Sequence, residues 1–216
     1  MKLAVVGDIH GDDLRLRRML EALDPLDRHI IFVGDYINGE PGARAVIDTL
    51  LTRERERPGR QTFLLGNHDV ELLNYVDGAP LDRLAAMGGV ATLHSYLGAV
   101  AGDVRAAFRR TLPASHVRFF RALKPCWETE ETLISHCGYD PAQREARTIA
   151  AVVMGGHPDI FDDTEPPRPT IVFGHYVQRG GVPYVRGALI CIDTGCGVAN
   201  GPLTAALLPE RTFVRV

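Results

Sequence analysis

Short apolar runs alternate with stretches of helical spacing between Lys2 and Tyr75. The runs predict buried strands, and the stretches between and after them predict helices with one apolar face. The predicted strands are Lys2–Val6, Ile30–Val33 and Thr62–Leu65, and the predicted helices are Asp12–Leu23, Ala43–Thr52 and a third that begins with Val70–Tyr75. Strands with helices between them favour a parallel sheet that is covered on both faces. The pattern therefore predicts an α/β fold.

The rest of the chain divides into a helical part and a part rich in short strands. The segment Leu81–Leu123 has helical spacing, with a break predicted at the pair Gly88 and Gly89 and a last helix that begins at Pro113. Further strands are predicted at Leu133–Ser135, Thr170–Phe173, Leu189–Ile192, Leu203–Leu208 and Phe213–Val216. The proline-rich segment Gly155–Pro169 is interpreted as a loop at the rim of a site. Since no repeat or linker interrupts this pattern, residues 1–216 are interpreted as a single domain.

The composition excludes some classes of partner. At 216 residues with 45% apolar side chains, the chain is long enough to bury a sizeable core. Its formal net charge of −3 gives no general basic field, so nucleic acid is not expected as a partner. The apolar runs fall far short of the roughly 20 residues that span a bilayer, so no membrane partner is expected. Four cysteines without CxxC spacing favour reduced thiols, and the strand pattern that begins at Lys2 leads us to expect no leader segment. We therefore expect a cytoplasmic protein.

Side chains that can bind metal recur at the ends of the predicted strands, each close to a glycine. They are Asp8, His10, Asp35, Asn67, His136 and His175. Each has a plain alternative when taken alone, because Asp and Asn favour turns and most histidines are hydrogen-bonded core or surface groups. Their repetition at successive strand ends is hard to obtain by accident. Because the carboxyl ends of parallel strands face a common crevice, the pattern predicts one metal site at a sheet edge.

The types of ligand restrict the choice of metal. Carboxylate, amide and imidazole groups without a thiolate suit Mn²⁺, Fe, Zn²⁺ or Co²⁺, with Mn²⁺ the first choice. The carboxylate of Asp35 has two oxygens and can bridge two ions, and ions about 3.5–4 Å apart would generate a hydroxide for in-line attack on phosphorus. His68, next to Asn67, is suited to protonate the leaving group as a general acid. We therefore predict a phosphoesterase with two divalent ions and with Asp35 and His68 as its catalytic residues.

The ordered motifs resemble a known family. GDIHG, GDY, GNHD, the histidine of LISHCG and GHY resemble the calcineurin-like metallophosphoesterase superfamily, and in finer detail its compact bacterial and phage serine/threonine phosphoprotein phosphatases. The resemblance extends over nearly the whole chain, as far as the closing segment IDTGCGVANGPLTAALL. It implies an α/β fold with a β-sandwich core flanked by helices. It also implies one ion held by Asp8, His10 and Asp35, a second held by Asp35, Asn67, His136 and His175, and His68 as the acid.

The residues that would bind the substrate depart from the family's pattern. The family's GDxxDRG is GDYINGE here, and its RGNHE is LGNHD. Asn38 therefore stands where an aspartate pairs with the catalytic histidine, and Gly39 and Leu65 stand where two arginines bind phosphate. Loss of these arginines removes charge-assisted hydrogen bonds that a neutral donor does not fully replace. Substrate contacts are therefore expected from other groups, with Asn38 and Arg44 as first candidates and Arg179 and Arg186 as further ones.

Three hypotheses for the function remain open. The first is hydrolysis of a phosphomonoester, carried either by a phosphoserine or phosphothreonine protein or by a small molecule. The second is hydrolysis of a nucleotide polyphosphate, because LLGNHDVELL, GHY and IDTGC are similar to bacterial symmetrical dinucleoside-tetraphosphate hydrolases, although the segment between His136 and His175 is short for those enzymes. The third is a metal-binding scaffold with weak catalysis, which is suggested by Asn38, Gly39 and Leu65.

The remaining histidines and one cysteine receive plain interpretations. Cys137 directly follows a predicted ligand, but a small buried side chain is a simpler reading than a nucleophile. The histidines outside the motifs are expected to be surface or capping groups. They are His29, His94, His116 and His157.

Overall fold

Two mixed sheets form the centre of the molecule. The computed structural model describes residues 1–99, 102–155, 157–164 and 168–216, and within them ten strands form two five-stranded sheets. The first sheet contains β1 (Leu3–Val6), β2 (His29–Phe32), β3 (Gln61–Phe63), β9 (Thr204–Leu208) and β10 (Thr212–Arg215), in the order β10-β9-β1-β2-β3. The second sheet contains β4 (Cys126–Glu128), β5 (Thr132–Ser135), β6 (Thr170–Phe173), β7 (Tyr184–Arg186) and β8 (Leu189–Cys191), in the order β4-β5-β6-β8-β7.

The two sheets pack face to face because successive side chains of a buried strand point to opposite sides. Val5 and Ile31 of the first sheet pack with Val172 and Ile190 of the second. The alternate residues of β1 and β2 pack against helices. The expected β-sandwich with flanking helices is thus confirmed. The first sheet is covered on both faces as expected, by helices on one face and by the second sheet on the other. It is mixed rather than wholly parallel, because β9 and β10 pair antiparallel.

Each sheet contains three neighbouring parallel strands, which include the edge strand β3 in the first sheet and are the three middle strands in the second. Strands β1, β2 and β3 pair in parallel, as do β5, β6 and β8. Strand β9 pairs antiparallel with β1, and β4 and β7 are antiparallel edge strands of the second sheet. The parallel strands therefore end on the same side of the molecule.

The helices lie mainly on the outer face of the first sheet. They are α1 (Asp13–Leu23), α2 (Ala43–Glu56), α3 (Asn67–Asp77), α4 (Leu81–Ala86), α5 (Gly89–Leu97), α6 (Val104–Thr111), α7 (Ala114–Arg121) and α8 (Ile149–Val152). The apolar faces of α1, α2 and α3 supply Leu16, Val46 and Leu72 to one buried cluster with β1 and β2. The helical middle of the chain is confirmed, with Gly88 at a φ of 79° between α4 and α5 and with Pro113 directly before α7.

Helix α3 begins at Asn67 rather than at the predicted Val70. The carboxylate of Asp69 accepts the backbone N–H of Gly66 at 2.9 Å and so holds the first turn. A carboxylate in this position also interacts favourably with the helix dipole. Asn67 is therefore placed by the first turn of a helix and not by a loose loop.

Strands β4 and β7 and helix α8 were not predicted. The three residues of β4 and of β7 include a charged side chain and none of them is fully buried, so they form no apolar run, and α8 has only four residues. The segment Gly155–Pro169 contains a 3₁₀ turn at Pro158–Phe161, and its residues 156 and 165–167 lie outside the described residues. None of the helices in the described part of the chain is long and apolar enough to cross a membrane.

The expectation of a surface position is wrong for His116, which is only 1% exposed. Its Nδ1 lies 2.8 Å from the hydroxyl of Tyr96, and its Nε2 lies 3.1 Å from Oδ1 of Asp48. Both ring nitrogens therefore have partners where α2, α5 and α7 meet. Burial of this polar ring is possible because its hydrogen bonds are made within the protein.

Candidate metal centre

The six predicted ligands lie together at the carboxyl ends of the parallel strands. Asp8 follows β1, Asp35 follows β2, and Asn67 begins α3 after β3. His136 follows β5 and His175 follows β6, so the second sheet also contributes to the cluster. His175 is half-buried, and the other five are at most 9% exposed.

Three of these residues have a left-handed backbone that is uncommon for side-chain-bearing residues. The φ angles are 48° at His10, 53° at Asp35 and 66° at His175. Such conformations persist only where the surroundings fix them, and they cluster at functional sites. Asp35 is fixed in part by its carbonyl, which accepts the N–H groups of Ile9 at 3.1 Å and His10 at 2.9 Å. The side chains are thus positioned by the turns that follow the strands.

Two glycines allow the turns to approach the carboxylates closely. A Cβ at Gly66 would lie 2.1 Å from Oδ1 of Asp35, and a Cβ at Gly174 would lie 1.9 Å from Oδ1 of Asp8. Both distances are far below van der Waals contact. Any other residue at either position would displace a carboxylate of the cluster.

Asp35 lies at the centre of the cluster. Its Oδ2 is 3.3 Å from Nε2 of His136 and 3.8 Å from Nε2 of both His10 and His68. Asp35 is therefore shared by two groups of candidate ligands, one with His10 and His68 and one with His136 and His175. Within each group the ligand atoms lie within 4.8 Å of one another. A carboxylate shared in this way has the placement that a bridging ligand requires.

Asp8 and Asn67 complete the two sides. Oδ2 of Asp8 lies 3.9 Å from Nε2 of His10 and accepts the backbone N–H of His175 at 3.1 Å. Oδ1 of Asn67 lies 2.8 Å from Nε2 of His136 and 3.0 Å from Nδ1 of His175. The structure thus brings all six predicted ligands together, and it places His68 beside them.

The hydrogen bonds of the imidazoles indicate that a cation fits between them. Nδ1 of His10 donates to the carbonyl of Ile37 at 3.2 Å, and Nδ1 of His136 donates to the carbonyl of Val33 at 3.2 Å. In His10, whose ring burial keeps neutral, Nε2 then presents a lone pair to the carboxylate oxygens of Asp8 and Asp35. Electron-rich atoms facing one another in a buried site need a positive charge between them. Such outer hydrogen bonds also orient metal-binding histidines in proteins.

The pKa values respond to burial and to this crowding. Burial lowers the pKa of His10 to about 4 and that of His175 to about 4. Burial also disfavours the His136 cation, but the carboxylate of Asp35 raises the pKa of His136 to about 9. Burial alone would raise the pKa of Asp35, yet the neighbouring imidazoles hold it well below its usual range. The cluster therefore favours an ionised carboxylate at its centre together with a cationic partner.

Two buried aspartates of this region were missed by the sequence analysis. Asp69 accepts the backbone N–H groups of Asp35 and Gly66, both at 2.9 Å, and that of Tyr36 at 3.3 Å. It holds the turns that carry Asp35 and Asn67, and its place as the last letter of GNHD was its only signal.

Asp193, the second of them, is 2% exposed and follows β8. Its Oδ1 accepts the N–H of Gly195 at 3.0 Å, whereas its Oδ2 has no hydrogen-bond partner among the described residues. The pKa of Asp8 is raised first by the burial of Asp8 itself and next by the charge of Asp193. The rule that found the other strand-end carboxylates would also have found Asp193.

Asn38 lies behind His68 and is itself fully buried. The hydroxyl of Thr92 donates to Oδ1 of Asn38 at 2.8 Å, which orients the amide, and Nδ2 of Asn38 then donates to Nδ1 of His68 at 2.8 Å. His68 is held further by its backbone N–H, which donates to Oδ1 of Asp35 at 2.9 Å. Thr92 was not singled out in the sequence, because it lies on α5, remote from every motif.

The two positions where the family's arginines were expected are occupied by a constrained glycine and a buried leucine. Gly39 has a φ of 85°, and a Cβ there would lie 2.6 Å from the carbonyl oxygen of Gly197. Leu65 is 6% exposed and packs in an apolar cluster with Val152. The altered motif is thus part of the packing around the site.

The candidate arginines lie outside the metal cluster. Arg44 is on α2, where it lies 3.9 Å from Asp48 and its guanidinium is 5.9 Å from the ring of Tyr96. Arg186 donates to the carbonyl of Asp163 at 2.8 Å. Arg179 is exposed on the 3₁₀ turn Arg179–Gly181.

The fold and the strand-end cluster define a phosphoesterase of the calcineurin-like class. A family model described as calcineurin-like phosphoesterase matches residues 1–189, and the chain belongs to this family. Among curated proteins, it is similar to the symmetrical bis(5′-nucleosyl)-tetraphosphatase of Methylococcus capsulatus, with 26% identity over 96% of this chain and 92% of that protein. The protein of the same name from Ralstonia nicotianae is 27% identical over 93% of this chain and 87% of its own length.

Solved structures show the same fold. A putative diadenosine tetraphosphatase superposes with a TM-score of 0.63 at 21% identity, covering 100% of this chain and 92% of that one. A serine/threonine phosphatase from Saccharomyces cerevisiae superposes with a TM-score of 0.60 at 15% identity, covering 100% of this chain and 79% of that one. At these identities the likeness concerns the fold.

Proposed function

We propose that this protein is a divalent-metal-dependent phosphohydrolase that cleaves phosphoanhydride bonds of nucleoside polyphosphates. The observation that supports hydrolysis is the buried cluster around Asp35, in which carboxylate, amide and imidazole atoms converge from two sheets. Two ions would be held by Asp8, His10, Asp35, Asn67, His136 and His175. When bound, such ions activate water and neutralise charge on the phosphate, with Mn²⁺ the first choice and Fe, Zn²⁺ or Co²⁺ as alternatives.

The substrate class is supported by the contact between Asn38 and His68. An amide that donates to Nδ1 of His68 occupies the lone pair that a second proton would need. His68 then has its proton on Nε2, which lies 3.8 Å from Oδ2 of Asp35, and it can donate a hydrogen bond into the site. It is a weaker acid catalyst than an imidazolium paired with a carboxylate. A phosphate leaving group needs little protonation, whereas the alkoxide of a phosphoserine needs much.

The names of the curated relatives agree with this choice, since both whole-length relatives are bis(5′-nucleosyl)-tetraphosphatases. A phosphomonoester, such as a phosphoserine or phosphothreonine protein, is the second candidate. One observation favours it: the alignment with the Methylococcus protein needs 269 positions for a chain of 216 residues, so the relative has insertions that this chain lacks. A chain without those insertions has fewer residues with which to enclose a small substrate, which is why a larger phosphorylated partner is the second candidate.

A substrate panel tests the proposal. Protein loaded with Mn²⁺ is given dinucleoside tetraphosphate, p-nitrophenyl phosphate and a phosphoserine peptide, and kcat/KM is measured for each. We expect the tetraphosphate to exceed the peptide by at least about tenfold, because the peptide has the poorer leaving group. Preference for the peptide would contradict the proposal in favour of the second candidate. Loss of all activity with metal bound would instead indicate a scaffold with weak catalysis.

A matched pair of variants ties the activity to the cluster. Asp35→Asn retains the shape of the side chain but removes the charge shared by both ligand groups, so turnover should fall at least about a hundredfold and bound Mn²⁺ should decrease. Glu130→Gln, an exposed carboxylate remote from the cluster, is the control and should change neither. Bound metal is measured by elemental analysis after gel filtration. Full activity in Asp35→Asn would exclude the cluster as the catalytic site.

A further inference from the structure

A cavity with aromatic walls opens beside the candidate metal centre. It has a volume of about 480 Å³ and is lined by Phe161, Tyr176, Val177, Gln178 and Tyr184. The three aromatic rings are half-buried, and Val177 is 44% exposed. The cavity is therefore accessible from solvent, and none of its residues belongs to the predicted ligand set.

The rings brace one another edge to face. The centroid of Phe161 lies 5.3 Å from that of Tyr176 with an interplanar angle of 84°, and 5.0 Å from that of Tyr184 with an angle of 87°. Phe173 supports Phe161 from the sheet, with a centroid distance of 5.9 Å. T-shaped contacts of this kind fix ring orientations. Fixed, partly exposed rings form a preorganised site for a flat aromatic ligand.

The cavity and the metal cluster share residues of the same turn. Tyr176 directly follows His175, and their ring centroids are 4.7 Å apart. Val177 lies against the loop that contains Gly195 and Gly197. A Cβ at Gly195 would be 3.4 Å from Cγ1 of Val177. A Cβ at Gly197 of the same loop would lie 2.6 Å from Cβ of His10. The cavity therefore adjoins the turn that carries His175, next to the place where the phosphates of a ligand would bind.

A polar group of the cavity is oriented for recognition. Nε2 of Gln178 donates to the carbonyl of Tyr176 at 2.5 Å, which fixes the amide orientation because a carbonyl accepts only from a donor. In the described part of the chain, Oε1 of Gln178 makes no hydrogen bond. It is an acceptor available to an exocyclic amine of a base.

We propose that this cavity binds the nucleobase of the substrate, with Tyr184 and Tyr176 as stacking walls and Oε1 of Gln178 as an acceptor. The inference rests on the proposed function, since it places the base of a nucleotide whose phosphates lie on the metal cluster. Aromatic side chains are the usual platforms for bases, because every base presents a flat π face.

The experiment measures adenosine monophosphate binding to Mn²⁺-loaded wild type and to Tyr184→Leu. Leucine retains an apolar side chain without the ring, and Tyr184 contacts none of the predicted ligands in the structure. We expect the Kd to rise about tenfold in Tyr184→Leu, as for loss of one stacking contact, while affinity for inorganic phosphate is unchanged. Tyr184→Phe is the matched control and should stay within about twofold of wild type.

A measurement on the wild type covers the case in which Tyr184→Leu folds poorly. Saturation transfer from protein aromatic protons should reach the base protons of adenosine monophosphate more strongly than the ribose protons. If dinucleoside tetraphosphate is hydrolysed but its KM and the Kd of adenosine monophosphate are the same in wild type and Tyr184→Leu, the base site is overturned while the proposed function stands. If adenosine monophosphate binds in a Tyr184-dependent way and no polyphosphate is hydrolysed, the base site stands and the proposed function fails.

Discussion

At the scale of single residues, the pair Asn38 and His68 decides how this site differs from its family's motif. Thr92 orients the amide of Asn38, and the amide in turn donates to Nδ1 of His68. A carboxylate at position 38 would instead accept a proton from Nδ1 and stabilise an imidazolium. The chemistry available to His68 therefore depends on a side chain that is fully buried and does not line the cleft.

Asn38→Asp should shift the preference of the site among leaving groups. The hydroxyl of Thr92 can still donate to one carboxylate oxygen, and the other can accept from Nδ1 of His68. We expect hydrolysis of a phosphoserine peptide to gain about tenfold relative to dinucleoside tetraphosphate, because a stronger acid assists the poorer leaving group. The ratio of the two kcat/KM values is the measurement. An unchanged ratio would show that His68 does not protonate the leaving group.

Gly39, which stands where the family has an arginine, should not be replaceable by arginine in the same way. Gly39 has a left-handed φ, and the carbonyl oxygen of Gly197 occupies the place of a Cβ. Gly39→Arg is therefore no test of the missing phosphate contact, because it would displace the loop that lies against His10.

At the scale of elements, the sequence predicted the central strands and the turns that follow them. Asp8, Asp35 and His175 follow apolar runs long enough to be recognised, and tight turns bring the following side chain to the sheet edge. The start of α3 was misplaced because Asp69, a tertiary ligand of the Asp35 turn, also caps the helix. The edge strands β4 and β7 were missed because their positions depend on pairing with the strands beside them.

The turn before α3 depends on Asp69, which should make it sensitive to a single substitution. Asp69→Ala leaves three backbone N–H groups without their acceptor, and we expect a loss of about 3–5 kcal/mol in the free energy of unfolding. Bound Mn²⁺ should also decrease, since the turns of Asp35 and Asn67 lose their shared anchor. Asp77→Ala, at the exposed end of the same helix, is the control and should cost little. Equal denaturation midpoints for the two variants would contradict this role.

The contact between α2, α5 and α7 should make stability depend on pH through His116. Burial lowers the pKa of His116, while Asp48 partly opposes this shift. The folded protein therefore keeps the ring neutral at a pH where the unfolded chain, with an ordinary value of 6.5, takes up a proton. This contribution to stability is fully present at a pH above the pKa of His116 in the unfolded chain, and it is lost as the pH falls below that pKa.

We therefore expect the stability of His116→Gln to fall less steeply than that of wild type between pH 7.5 and pH 5.5. His10 and His175 also have lowered pKa values, and the comparison with wild type removes their shared contribution. Urea unfolding at several pH values measures the two slopes. Parallel curves would show that the ring of His116 does not titrate differently in the folded and unfolded states.

At the scale of the whole molecule, the candidate metal centre joins the two sheets. Asp8, Asp35 and Asn67 belong to the first sheet and its turns, whereas His136 and His175 belong to the second. Between the sheets lies an apolar layer that includes Val172 and Ile190. The layer holds the sheets together over their area, and the cluster would hold them at one edge once a cation is present.

Divalent metal should therefore stabilise the fold as a ligand of the native state only. At a free Mn²⁺ concentration of about 100 Kd, one site adds about 2.7 kcal/mol, which corresponds to roughly 5–10 °C in Tm for a chain of this size. His136→Gln should lose most of this increment because it removes a ligand from the second sheet. Val172→Ala should lower the Tm with and without Mn²⁺ while keeping the increment, because it weakens the apolar layer alone. Thermal scans of all three proteins with Mn²⁺ and with a chelator make the comparison, and an undiminished increment in His136→Gln would show that the ions do not join the sheets.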